Sequence, residues 1–125
     1  MTTLQKLDDA VHHSLEAAAT EALSQFASER IYGLFLIHYI FSSYRVAVLT
    51  EAHRERSEHK AEKWSPAVCE YYFYREDLFD EPNRLLASLA DLDHEEDIAS
   101  IFVRAVQHVR QAIITDPQVV LGIVD

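Results

Sequence analysis

The sequence predicts an α+β fold: a small antiparallel-type sheet, a hairpin plus one or two further strands, packed against a long N-terminal helix and a C-terminal amphipathic helix. Three observations carry this. Apolar residues recur at three- and four-residue intervals near both ends of the chain, where they form helical stripes. Two runs rich in Ile, Tyr, Phe and Val, at 31–41 and 44–50, are separated by a Ser-Ser pair and read as a hairpin. Finally, 125 residues with 49% hydrophobic and 26% charged content suit a single domain, here taken as 1–125.

Taken in order, Thr2 followed by Gln5 has the form of a capping box, so a helix starts there. Leu4, Leu7, Val11, Leu15, Ala18, Ala22 and Phe26 then keep one stripe, which predicts an amphipathic helix over 4–28. The first hairpin strand is apolar on both faces (Leu34, Phe35, Leu36, Ile37). It is therefore either a central strand covered on two sides or a dimer contact on the second. A helix over 31–49 is the competing reading, because short apolar runs are ambiguous by periodicity.

Residues 51–63 hold four acids and four bases and read as a solvated loop or short polar helix, ended by Trp64-Ser65-Pro66. A third strand over 68–74 is dense in aromatics. Strict alternation would place Tyr71 and Phe73 on one face and Tyr72 and Tyr74 on the other. A helix over 80–90 accepts Pro82 in its first turn. Asp93 with Glu96 marks the start of another, whose stripe is Ile98, Ile101, Phe102, Ala105, Val109, Ala112 and Ile113. Asp116-Pro117 stops it, and 118–124 reads as a short buried-type strand.

The start of the chain lacks the basic, then apolar, pattern of a secretory signal, so a cytoplasmic location is expected. Its longest apolar run, 31–41, falls far short of the ~20 residues that cross a bilayer. Cys69 is the sole cysteine and rules out an internal disulfide; beside Glu70 it reads as a passive residue.

The order of Ile31-Tyr32-Gly33, Trp64-Ser65-Pro66-Ala67, Leu78-Phe79-Asp80-Glu81-Pro82-Asn83-Arg84-Leu85-Leu86 and Val119-Val120-Leu121-Gly122-Ile123-Val124-Asp125 resembles a bacterial domain-of-unknown-function family, number 4303, over almost the whole chain. Two stretches depart from its pattern. Leu49-Thr50-Glu51-Ala52 stands where the family tends to carry Asn-Thr-Glu-Glu, and Val68-Cys69 where it tends to carry Glu-Trp. The resemblance implies an intracellular bacterial α+β protein, some relatives of which look like small acidic neighbours of secreted toxins. It implies no reaction.

Chemistry-bearing motifs are few. The chain's two glycines, Gly33 and Gly122, cannot build a phosphate loop, and neither a Gly-x-Ser-x-Gly elbow nor a His-Glu-x-x-His pair occurs. Of seven histidines, His12 and His13 are adjacent on a helix and point apart. His53 and His59, with Glu55, offer only an incomplete ligand set, while His38 and His108 read as core or boundary residues. Residues 91–97 are acid-rich but lack the Gly and closing Glu of a calcium loop. No metal or cofactor is expected, and no catalytic residue is assigned.

Charge says more. Eleven bases against 21 acids leave −10, which disfavours nucleic acid and anionic membranes as partners. Residues 1–50 carry −2, residues 51–63 carry 0 and residues 64–125 carry −8. Nine acids, Glu76, Asp77, Asp80, Glu81, Asp91, Asp93, Glu95, Glu96 and Asp97, face the single Arg84 between positions 76 and 97. With Tyr72 and Tyr74 taken as the outward pair, this stretch is expected to form a partner-binding surface for a basic protein, such as a toxin domain held by an immunity-type inhibitor. A homodimeric scaffold built on the two-faced hairpin is the alternative, and a small enzyme is a third reading.

Overall fold

The computed structural model describes residues 2–39, 43–56, 71–89 and 94–124, with the side chains of Tyr39 and Tyr72 outside the description. Helix α1 (Thr3–Gln25) begins at the expected capping box: the Thr2 hydroxyl accepts from the Gln5 N–H at 3.2 Å, and the Thr2 N–H donates to Gln5 Oε1 at 2.8 Å. It buries Leu7, Val11, Ser14, Leu15, Ala18, Ala19 and Ala22. The helix stops three residues before the expected end, with Phe26 as its C-cap. The chain then reverses through Arg30, held at φ 59°.

Strands β1 (Ile31–Tyr39) and β2 (Ser43–Thr50) form the hairpin, antiparallel with Leu36 opposite Val46 and a bulge between Ile31 and Gly33. Helix α2 (Glu51–Arg56) follows at once. Buried Thr50 caps it, accepting from the His53 N–H at 3.2 Å and donating to Glu29 at 3.3 Å. The Glu51 and Ala52 N–H groups donate to the carbonyls of Arg30 and Glu29, which ties the end of the hairpin to the turn that precedes it.

Strand β3 (Tyr71–Tyr74) pairs antiparallel with β2. It is followed by a 3₁₀ turn (Glu76–Phe79), α3 (Asp80–Ser88), α4 (Glu95–Ala112) and β4 (Val120–Val124). The sheet order is β3-β2-β1-β4, and β4 runs parallel to β1. The fourth strand thus makes the sheet mixed rather than wholly antiparallel. Helix directions explain it. Arg104 lies 3.7 Å from Asp8, and the His108 ring sits 6.3 Å from that of His12, so α4 runs alongside α1 in the same sense. Both helices end at the same end of the sheet, the chain turns back there each time, and the strands that follow point the same way.

One core lies between the helices and the sheet, with Leu34, Leu36, Val46, Val48, Phe79 and Phe102 among its buried members. Phe102 stacks on Tyr44 at 3.6 Å. The opposite sheet face holds a second cluster of Phe35, Ile37, Ala47 and Leu49, all buried. The two-faced β1 is therefore a central strand covered on both sides within one chain. Both glycines serve this second cluster. A Cβ on Gly33 would lie 2.9 Å from the Phe35 ring, and one on Gly122 would lie 3.2 Å from it. Neither has a positive φ, so close approach rather than backbone freedom calls for glycine. The ring occupies space that a side chain at either position would need.

The open end of β2 is closed by α3. Asn83 Oδ1 accepts from the Tyr44 N–H at 2.8 Å, and its Nδ2 donates to the Tyr44 carbonyl at 3.1 Å. A side-chain amide thereby continues the ladder for one residue beyond β3. Ser14 ties α1 to the 3₁₀ turn by donating to the Leu78 carbonyl at 2.6 Å. No helix among the described residues is long and apolar enough to cross a membrane.

Candidate interaction surface

Three short segments bring the acids to the surface: Glu76 and Asp77 on the 3₁₀ turn, Asp80 and Glu81 in the first turn of α3, and Glu95, Glu96 and Asp97 in the first turn of α4. All seven are exposed. Acids are favoured in first helical turns because unpaired N–H groups and the helix dipole make that end positive. Asp91 and Asp93 lie outside the described residues, as do Cys69, His59 and the Trp64-Ser65-Pro66 stop. Helix α4 itself begins after His94, whose ring stands 3.6 Å from Asp97.

The two acid groups flank α1. Asp77, Asp80 and Glu81 line a concavity of about 420 Å³ with His13 and Arg84. On the other side of α1, Asp97 shares a shallow depression of about 270 Å³ with Leu4, Asp8 and Arg104. Asp8 and Asp9, on the intervening helix, extend the negative character between them.

Cations reach this region from beyond residues 76–97. Arg75 grips Asp77 with two parallel bonds of 2.9 Å and also pairs with Glu21, and Arg45 of β2 pairs with Glu76. Arg84 holds Glu81. Hydrogen bonds from these guanidinium groups keep the Asp77 and Glu81 carboxyls below their ordinary range. The expected ratio of nine acids to one base is thus softened by the fold. Asp80, Glu95 and Glu96 take part in no ion pair among the described residues.

The aromatic part of the expected surface needs correcting. Tyr74 is buried at 7% exposure, packs 5.2 Å from Phe26 and donates to Gln25 Oε1 at 2.9 Å. Burial and the neighbouring Glu21 push its phenol up to about 12. The cause is a bulge: β3 places Tyr74 opposite Val46 but Tyr71 opposite Val48, so two residues of β3 stand against one of β2 between these pairs. Tyr71 and Tyr74 therefore both face the helices, where Tyr71 packs with its ring tilted, 4.2 Å from that of Phe26, and donates to Glu29 at 2.8 Å. The residue turned outward is Phe73, 46% exposed, with the Arg45 guanidinium 4.8 Å above its ring. Strict alternation concealed this, and only the bulge reveals it. The Tyr72 side chain lies outside the described residues.

The histidines do not converge. His12 bonds to Asp8 at the α1–α4 seam, and His38 stacks on Tyr44 at 4.6 Å. His108, expected at the core or boundary, is exposed 3.8 Å from Glu16. No group of three or more His, Cys, Asp or Glu among the described residues is arranged to hold a metal ion.

No family model matches the chain, and neither the curated proteins nor the solved structures provide a match.

Proposed function

We propose that the protein is a non-enzymatic, acidic protein-binding module, most concretely an immunity-type inhibitor that covers a basic toxin domain. The observation that carries this reading is the exposed acid at the starts of α3 and α4, where Asp80, Glu95 and Glu96 take part in no ion pair among the described residues and lie on either side of a helix that adds Asp8 and Asp9. Charge gathered on one region raises the encounter rate with a partner of opposite sign and sets orientation. Phe73, capped by Arg45 and adjoining Glu76 through it, supplies an aromatic-arginine pair of the type that anchors interfaces. The resemblance to a family some members of which look like small acidic neighbours of secreted toxins, and a cytoplasmic location, belong to the same proposal.

Co-expression with the product of a toxin-like reading frame adjacent to the gene tests it. Protection should be seen, and the affinity of the purified pair should fall steeply between about 50 and 200 mM salt. Absence of protection, or an affinity indifferent to salt, refutes the reading. The homodimer alternative has less to rest on, since Phe35 and Ile37 are already buried within the single chain. A dimer by light scattering at micromolar concentration would revive it.

A further inference from the structure

A cavity of about 710 Å³ opens where α1 ends and β1 and β4 begin. Its lining joins apolar side chains, Phe26 and Val120 among them, to a charged rim of Arg30, Glu55 and Asp116. The volume falls within the ~300–1,000 Å³ of small-molecule sites, and the strongly polar lining suits a charged ligand.

Part of the rim keeps spare charge. Arg30 and Glu55 take part in no ion pair among the described residues, whereas Arg45, Arg54, Arg56, Arg75, Arg84 and Arg104 each have a carboxylate partner. Asp116 uses Oδ1 to accept from the Gln118 N–H at 2.9 Å, which leaves its second oxygen for a ligand. Glu51, also on the rim, is held by Arg54. Arg30, like Arg75, is held in the left-handed region, at φ 59°, where glycine would be free of strain and an arginine is not.

One guanidinium and two free carboxylates define the chemistry that complements them. A simple anion would meet Arg30 but be repelled by Glu55 and Asp116, and a simple amine would leave Arg30 unpaired. A ligand carrying one carboxylate and a cationic arm satisfies both signs, with an aliphatic stem to lie along Leu23 and Val120, the exposed apolar residues of the lining. We propose that this cavity binds a basic amino acid, either free or as the carboxy-terminal residue of a peptide. Arg30 takes its carboxylate; Glu55 and Asp116 take its cations. This site is separate from the acidic surface and does not depend on the function proposed for it.

Calorimetric titration of the intact chain tests this with L-arginine, L-argininamide, L-norleucine and the tripeptide Gly-Gly-Arg. Saturable binding of L-arginine or the tripeptide is expected, the tighter of the two identifying the free amino acid or the chain end as the ligand. Argininamide, without the carboxylate, and norleucine, without the cationic arm, should each bind at least tenfold more weakly. Arg30→Gly separates ligand recognition from folding: it relieves the left-handed residue, so its thermal midpoint should hold or rise while binding is lost. Glu55→Gln should weaken binding at least threefold. No saturable binding of either arginine ligand at millimolar concentration overturns the proposal. So does equal binding of norleucine, or full binding by a folded Arg30→Gly variant.

Discussion

Replacing Gly33 by Ala places a methyl 2.9 Å from Phe35 Cε2, well inside the ~3.5–4.0 Å at which carbon atoms rest against each other. Overpacking of this kind costs about 1–3 kcal/mol, offset by the ~0.5–1 kcal/mol that Ala gains over Gly in a strand. Gly33→Ala should therefore destabilise the protein by about 0.5–2 kcal/mol. Phe35 is 9% exposed, so Phe35→Ala alone should cost about 3–5 kcal/mol. With the ring gone, the next atom the new methyl meets is Leu49 Cβ at 3.5 Å, an ordinary contact. In the Phe35→Ala background, then, Gly33→Ala should become neutral or stabilising, a coupling of about 1–3 kcal/mol between the sites. Urea unfolding of the four proteins measures it, and Gly122→Ala, whose methyl would stand 3.2 Å from the ring, should repeat the pattern at smaller amplitude. If Gly33→Ala costs the same with and without the ring, the glycine is not there to admit Phe35 and the reasoning fails.

Asn83→Ala removes both partners of the Tyr44 backbone N–H and carbonyl and should cost about 1–3 kcal/mol in urea unfolding. Asn83→Asp, which retains the acceptor but loses the donor, should recover only part of that loss; equal stability of Asn83→Ala and the parent would show that water replaces the amide without penalty. The second test concerns alkaline pH. Tyr74 titrates near 12 in the folded chain but near 10 when unfolded, so the unfolded state releases its proton first. Its contribution to stability is complete below pH 10 and declines as pH rises from 10 to 12. Tyr74→Phe should flatten the fall of the urea midpoint over that window, and an unchanged slope would count against a buried phenol.

The helices were legible because their signals are local. Thr2 and Gln5 sit within one turn of each other, and the Leu7-Val11-Leu15-Ala18-Ala22 stripe repeats at the helical period whatever the rest of the chain does. The hairpin was legible for the same reason. Tyr74 was placed on the wrong face because alternation presumes an unbroken ladder, and the β2–β3 bulge is a property of two strands at once. A charge count along residues 76–97 could not include Arg45, which lies 31 positions from Glu76 and reaches it only because β2 and β3 are neighbours.

By itself, then, the sequence determined the α+β class, the presence and inward face of the main helices, and the acid content of the turns that start α3 and α4. These depend on interactions within about four residues, which the order of amino acids specifies directly. Tertiary structure alone decided that β4 joins β1 in parallel, that Phe73 rather than Tyr74 faces outward, that Phe35 spans both glycines, and that Arg30, Glu55 and Asp116 share one cavity rim. Each of these depends on which distant segments the chain's path brings together. That path is chosen by burying both faces of β1 and by the common direction of α1 and α4, which no local pattern encodes.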